Sequence, residues 1–338
     1  MTRVDEVASE TFARHETFHP RYGWFRKAVK AAATSPDTFT REDAPVELGV
    51  GKNMVRAIRF WGKAAKLLVD VDNPARPRLA WTVPTLNGAA LLGEQPGLDP
   101  YLELPGSLWL LHWWMLAKTC SLPVWWIAFN QFGSVEFSEE DLLRGVLDEL
   151  QRIPSWALPV EASIKKDVDC LLRTYAPRVA GRFAIDDLLD CPFRELGLLE
   201  PVWDDAHRYR FVIGTKPTLP AEIVAYACLE YLAAADPSAR TSTISRLVLS
   251  PGSPGRVFKL TEEALATALE QYETTENGVR LTSVAGVLQL TVDGDPRQEA
   301  VRALQAYYGM ASHQVKGPIK LGELAAVHGL GFVSEEVR

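Results

Sequence analysis

The sequence predicts a mainly α protein with small β-hairpins, α+β in class, with tandem winged-helix or helix-turn-helix-like units around an aromatic middle segment. Three observations carry this expectation. Amphipathic runs at helical period recur along most of the chain. Alternation at period two is confined to a short stretch near residues 278–294. The most apolar run, Leu108 to Phe129, sits between two polar helical stretches. At 338 residues, with 47% apolar and 23% charged residues, the chain is long enough for more than one compact unit and ordinary in composition. Four units are expected: 1–78, basic and helix-turn-helix-like; 79–137, rich in aromatics; 138–215, helical; and 216–338, helical with a β-hairpin.

The first unit opens with FARHETFHPRYGW, continues as a helix over residues 25–33, and turns at Ser35-Pro36-Asp37. Thr40, with Asp43 three residues on, is expected to cap a short second helix. In LGVGKNMVRAIRFWGKAAKLL a glycine turn leads into a helix of about four turns. Lys52, Arg56, Arg59, Lys63 and Lys66 fall on one face of it, with Met54, Val55, Ile58, Trp61, Ala65 and Leu68 opposite. No acidic residue lies between Lys52 and Val69, so the stripe is expected to be free of pairs within the helix. A solvated surface helix is the plain explanation of such a stripe, yet the turn-helix context favours a DNA-recognition helix. Asn53 and Arg56 suit base edges. Arg59 and Lys63 suit phosphates, and Lys52 adds to the field.

Charge supports that placement. The net charge is -7, but residues 1–80 hold 14 Lys+Arg against 10 Asp+Glu, hence +4, leaving 22 against 33, hence -11, for the remainder. A basic face attracts a polyanion even on an acidic molecule.

In the middle segment His112, Lys118 and Pro123 interrupt what would otherwise be an apolar membrane span, and the run is expected to be core. The third unit begins with Ser138 as a cap, Asp141 three residues on, and a second helix from Val160 whose charges are mixed. In the fourth, the alternation in GVRLTSVAGVLQLTVDG predicts a strand pair, and the repeated Ser-Pro-Gly marks turns. An acidic N-terminus without an apolar stretch predicts a cytoplasmic protein, and four scattered cysteines, Cys120, Cys170, Cys191 and Cys228, predict buried thiols rather than a disulfide or zinc framework.

Chemistry-bearing residues crowd into one short segment. His15, Glu16, His19 and Arg21 bring together a base, a carboxylate, a second imidazole and a guanidinium, the types needed to activate water and stabilise charge on a phosphodiester. A buried hydrogen-bond network is the alternative. His15 to His19 also matches H-E-x-x-H, but Pro20 disfavours the helix which that zinc motif requires. Glu94, Asp99 and Glu103 form a second carboxylate group, with turn and cap roles the more ordinary reading. No Walker A, GxGxxG, GxSxG or PD-ExK-like pattern is present, so no nucleotide cofactor is indicated.

The blocks FARHETFHPRYGW, LGVGKNMV, LDPYLELPGSLWLLHWW, KKDVDCLLRTYAP and SPGSPGRVFKL, spread over residues 12–260, resemble the SspB-like family of DNA-nicking proteins of single-stranded DNA phosphorothioation systems. The resemblance implies a DNA nickase in anti-phage defence that acts on double-stranded DNA beside a cysteine desulfurase, an ATPase and a sulfur-activating enzyme. It assigns no catalytic residue. The chemistry of a nickase implies a divalent metal, Mg or Mn, with its ligands unassigned, and a homodimer is compatible with the sequence. A non-catalytic DNA-binding specificity subunit or transcription regulator is the alternative function.

Overall fold

The computed structural model describes residues 2–73, 76–93, 97–176, 191–202, 205–273 and 278–309. The chain is a mixed α+β fold with small antiparallel sheets. Its first part runs α1 (Trp24–Thr34), α2 (Ala44–Leu48), α3 (Lys52–Ala64), β1 (Leu68–Val71), β2 (Trp81–Pro84) and α4 (Leu86–Leu92). Helix α1 buries Trp24, Phe25, Ala28, Val29 and Ala32 on the stripe that its period sets, and α3 buries Val55, Ala57, Ile58 and Trp61. The cap expected at Thr40 is corrected. Its hydroxyl donates to the Asp37 carbonyl at 2.8 Å, and the helix begins after Asp43, where Pro45 in the first turn forfeits no helical hydrogen bond.

Two helices, α5 (Pro105–Leu116) and α6 (Pro123–Asn130), form the centre. Every residue from Gly106 to Leu116 and from Pro123 to Asn130 is buried. Helices apolar on all sides can be satisfied only in the middle of a core. Their polar atoms are matched from distant segments. His112 bonds the Tyr175 hydroxyl through Nδ1 at 2.8 Å and the Val257 carbonyl through Nε2 at 3.0 Å, while the Trp113 and Trp114 indoles donate to Glu230 and to the Tyr226 hydroxyl. One buried cluster therefore runs from Val4 to Leu304, across the divisions expected after residues 78, 137 and 215.

The rest of the chain repeats one arrangement twice. Strand β3 (Glu136–Ser138) leads to α7 (Glu139–Gln151), α8 (Glu161–Tyr175), β4 (Leu199–Val202) and β5 (Asp205–Phe211), with sheet order β3-β5-β4. After α9 (Ala221–Ala235), strand β6 (Thr241–Thr243) leads to α10 (Ile244–Leu249), α11 (Pro254–Phe258), α12 (Glu262–Tyr272), β7 (Val279–Val284) and β8 (Val287–Val292), with order β6-β8-β7. Helix α13 (Pro296–Tyr307) packs on α9. The strand pair expected from alternation is β7 and β8, joined through Ala285 and Gly286 at φ 51° and 79°, the left-handed pair that a tight hairpin demands. Ser138 caps α7 with Asp141 reciprocating.

Two helices end on a lysine where glycine is usual. Lys66, at φ 57°, closes α3 with its own N–H to Lys63 and that of Leu67 to Gly62, and its ammonium donates to the carbonyls of Ala117 and Lys118 at the end of α5. Lys259, at φ 56°, closes α11 and donates to the Phe129 carbonyl in the last turn of α6 at 2.8 Å. Each left-handed lysine costs roughly 1–2 kcal/mol in backbone strain, which a cation at a helix C-terminus offsets.

Candidate nucleic-acid interface

The segment that carries His15, Glu16, His19 and Arg21 is a loop of turns, not a helix. Ala13, Glu16 and Thr17 adopt positive φ, at 53°, 52° and 66°. Non-glycine residues hold this conformation only when their surroundings fix it. Here two helices do so. From α8, Asp167 accepts the His15 Nε2–H at 2.6 Å and the Ala13 N–H at 3.0 and 3.1 Å, and Arg173 donates to the Thr17 carbonyl at 2.6 Å. From α3, the Trp61 indole donates to the Phe18 carbonyl at 2.9 Å, and Arg56 approaches Glu16 at 3.5 Å. The loop is thus the joint between the basic helix and the second helical unit.

His15 has 0% exposure and lies among Trp61, Trp125 and Phe60, with ring centroids at 6.2, 5.9 and 6.1 Å. Burial pushes the Asp167 carboxyl up from its usual range, partly countered by the His15 and Ala13 contacts. His19 is buried as well, while the Arg21 guanidinium lies 5.8 Å from the Trp24 ring. Glu16 and Arg56 are accessible on the outer side of the loop. Of the predicted cluster, His15 therefore faces inward and Glu16 outward. Asp167 escaped the sequence reading, which noted only that the charges of this helix are mixed. Its position on the same face as Ile164, Val168 and Leu171 was the available signal, since a carboxylate on an apolar stripe needs a buried partner.

The basic stripe of α3 is corrected in one respect. Lys52, Asn53 and Arg56 are exposed, but Arg59 pairs with Asp70 at 3.0 Å and Lys63 with the same carboxylate at 2.5 Å. The partner lies just past the helix end, where β1 doubles back along α3, so spacing within the helix does not reveal it. Lys66 is turned inward to the carbonyls at the end of α5, and burial pulls its ammonium down to about 8.

Asp99 accepts the N–H groups of Glu103 and Leu104, both at 2.9 Å, and so shapes the turn before α5; Glu94 lies outside the described residues. The four cysteines are buried and unpaired in disulfides, and burial pushes the Cys120 thiol up to about 11. Among the described residues no group of three or more His, Cys, Asp or Glu could hold a metal ion. No helix of the described residues is long and apolar enough to cross a membrane.

A solved structure of SspB superimposes with a TM-score of 0.87 at 39% sequence identity, covering 96% of this chain and 95% of that one. The chain belongs to the SspB-like family. A magnesium ion-bound SspB crystal structure aligns with the same TM-score, identity and coverage. The family described as protein of unknown function DUF4007 matches residues 12–308, which takes in the loop, the basic helix and both strand-helix-hairpin repeats of this SspB-like chain. No curated protein matches it.

Proposed function

We propose that this SspB-like chain is a DNA-nicking component of a phosphorothioation-based antiviral defence system, working beside a cysteine desulfurase, an ATPase and a sulfur-activating enzyme. The observation that carries the proposal is near-complete coverage at 39% identity by SspB, together with an accessible Lys52, Asn53 and Arg56 at the start of a helix. Helix α3 meets double-stranded DNA with Asn53 and Arg56 at base edges and Arg59, Lys63 and Lys52 at phosphates. The two repeats of strand, helices and hairpin, with the last strand in the middle of each sheet, fit winged-helix units that extend this surface.

The loop supplies the chemistry in this reading. Glu16, 3.5 Å from Arg56, is the carboxylate and Arg21 the cation, His19 is the acid or base, and His15 is a positioning residue that keeps the loop in its strained form through Asp167. A magnesium ion is bound in one SspB structure, and divalent-metal dependence is proposed here by that likeness alone. Nicking of supercoiled plasmid, with and without magnesium or manganese, tests the proposal. Conversion to open circles that stops with a chelator is the expected result. A second reading, a non-catalytic DNA-binding specificity subunit, is favoured by the burial of His15 and His19, with His15 held on Asp167 in the packed side of the loop. DNA binding without nicking under every metal would select it.

A further inference from the structure

The N-terminal strap, held by the Ser9 N–H on the Cys120 carbonyl and the Cys120 N–H on the Val7 carbonyl, overhangs a cavity of about 470 Å³ on the side of α3 where Lys63 and Lys66 stand. Pockets of this size suit small ligands rather than lone ions. Two of its three carboxylates are compensated: Asp5 pairs with Arg3 at 2.6 Å and Asp70 with Arg59 and Lys63, while Glu6 accepts only the Arg3 backbone N–H at 3.3 Å. Its other cations form no direct ion pair. Among the described residues no carboxylate is in salt-bridge contact with Lys66 or Lys118; the Lys66 ammonium donates to backbone carbonyls, and Glu230 acts on it only through its field. Hydroxyls of Thr119 and Ser121 line the same cavity.

A further atom lacks a partner. Asn87, 1% exposed and lining the cavity, has its Oδ1 without a hydrogen bond among the described residues. A buried amide oxygen left unmatched costs about 1–3 kcal/mol, so a site that keeps one invites a donor from a ligand. Val69, half-buried on β1, adds apolar surface to the lining, and Leu68 beside it is packed into the core. Lys66 also holds a left-handed backbone position that glycine would fill without strain, so its side chain is retained against a local cost.

We propose that this cavity binds a nucleoside monophosphate unit, with the phosphate at Lys66, Lys118 and the neighbouring hydroxyls and a base N–H donated to Asn87 Oδ1. The proposal does not depend on the nicking reaction, because a free mononucleotide and the 5′-phosphorylated end of a DNA strand present the same chemistry.

Calorimetric titration of the full chain with dAMP, dCMP, dGMP and dTMP, each beside its nucleoside and inorganic phosphate, reads the site directly. At least one mononucleotide should bind at least tenfold tighter than its nucleoside. Lys118→Ala, at an exposed position, should weaken it fivefold or more with unchanged thermal unfolding. Lys66→Gly relieves the backbone strain and should do the same. Asn87→Leu should reduce the preference among bases while leaving phosphate affinity. A 5′-phosphorylated nicked duplex that competes better than the free mononucleotide assigns the site to DNA ends, and the reverse assigns it to a free ligand. Equal affinity for nucleotide and nucleoside, no saturable binding, or undiminished binding by both folded lysine variants overturns the proposal.

Discussion

Replacing Asp167 by Ala removes the acceptor that serves two donors at once, the buried His15 Nε2 at 2.6 Å and the part-buried Ala13 N–H at 3.0 and 3.1 Å. The methyl group cannot take their place, and water has little access beside a fully buried imidazole. Each orphaned donor costs about 1–3 kcal/mol, and breaking a buried pair typically costs about 3–5 kcal/mol in total. The expected loss is thus about 3–5 kcal/mol, a fall in Tm of roughly 4–7 °C for a chain of 338 residues. Urea unfolding followed by tryptophan fluorescence measures it, with Trp61 and Trp125 packed directly on His15 as reporters. Asp167→Asn keeps one acceptor and should lose less. Glu16→Gln, on the accessible side of the same loop, should cost under about 1 kcal/mol. If Asp167→Ala lies within about 1 kcal/mol of the unmutated protein, the pin does not hold the loop and the positioning role assigned to His15 fails.

Acid should act through His112, whose folded pKa is drawn down to about 4 by burial while the unfolded imidazole titrates near 6.5. The unfolded chain binds the extra proton between these values, so this stabilisation is complete above pH 6.5 and lost as pH falls towards 4. The loss is about 3 kcal/mol, and equal acid sensitivity in His112→Gln would refute it. Asp70→Asn should remove the carboxylate that competes with phosphate for Arg59 and Lys63 and raise DNA affinity by about fivefold, on the order of 1 kcal/mol for a partly exposed pair; unchanged affinity in a gel shift places those side chains off the DNA. Glu16→Gln should lower nicking about 100-fold with DNA affinity intact, whereas Arg56→Ala should weaken binding first, as separate gel-shift and plasmid assays can resolve. Replacing all four buried cysteines should leave nicking in any variant that folds, and its loss there would implicate a thiol.

Local pattern made much of this fold legible. The periodicity of α1 and α3, the capping pair Ser138 and Asp141, and the alternation of β7 and β8 are decided within about a dozen residues, and the structure follows them. What escaped was set by distance along the chain. Asp70 neutralises part of the α3 stripe only because β1 folds back on it, and His15 finds Asp167 across 152 positions. The composition of the loop marked it as unusual, but which of its side chains turn inward depends on two helices that the loop's own sequence does not encode. Thr40 misled for a local reason: Asp43 and Pro45 offer the helix a better start three residues later.

The two lysine-ended helices bear on how the protein is made. Lys66 cannot reach its acceptors until Ala117 and Lys118 have been synthesised, and the carbonyl of Phe129 waits 130 residues for Lys259. At about 5–20 residues per second that second wait lasts roughly 6–26 s. Throughout it the tryptophan-rich pair α5 and α6 has left the ribosome with the C-terminal clamp still unmade. Helices buried on every side have no polar face to show water meanwhile, so this interval is when the nascent chain most needs a chaperone, and slower translation over residues 130–259 would lengthen it.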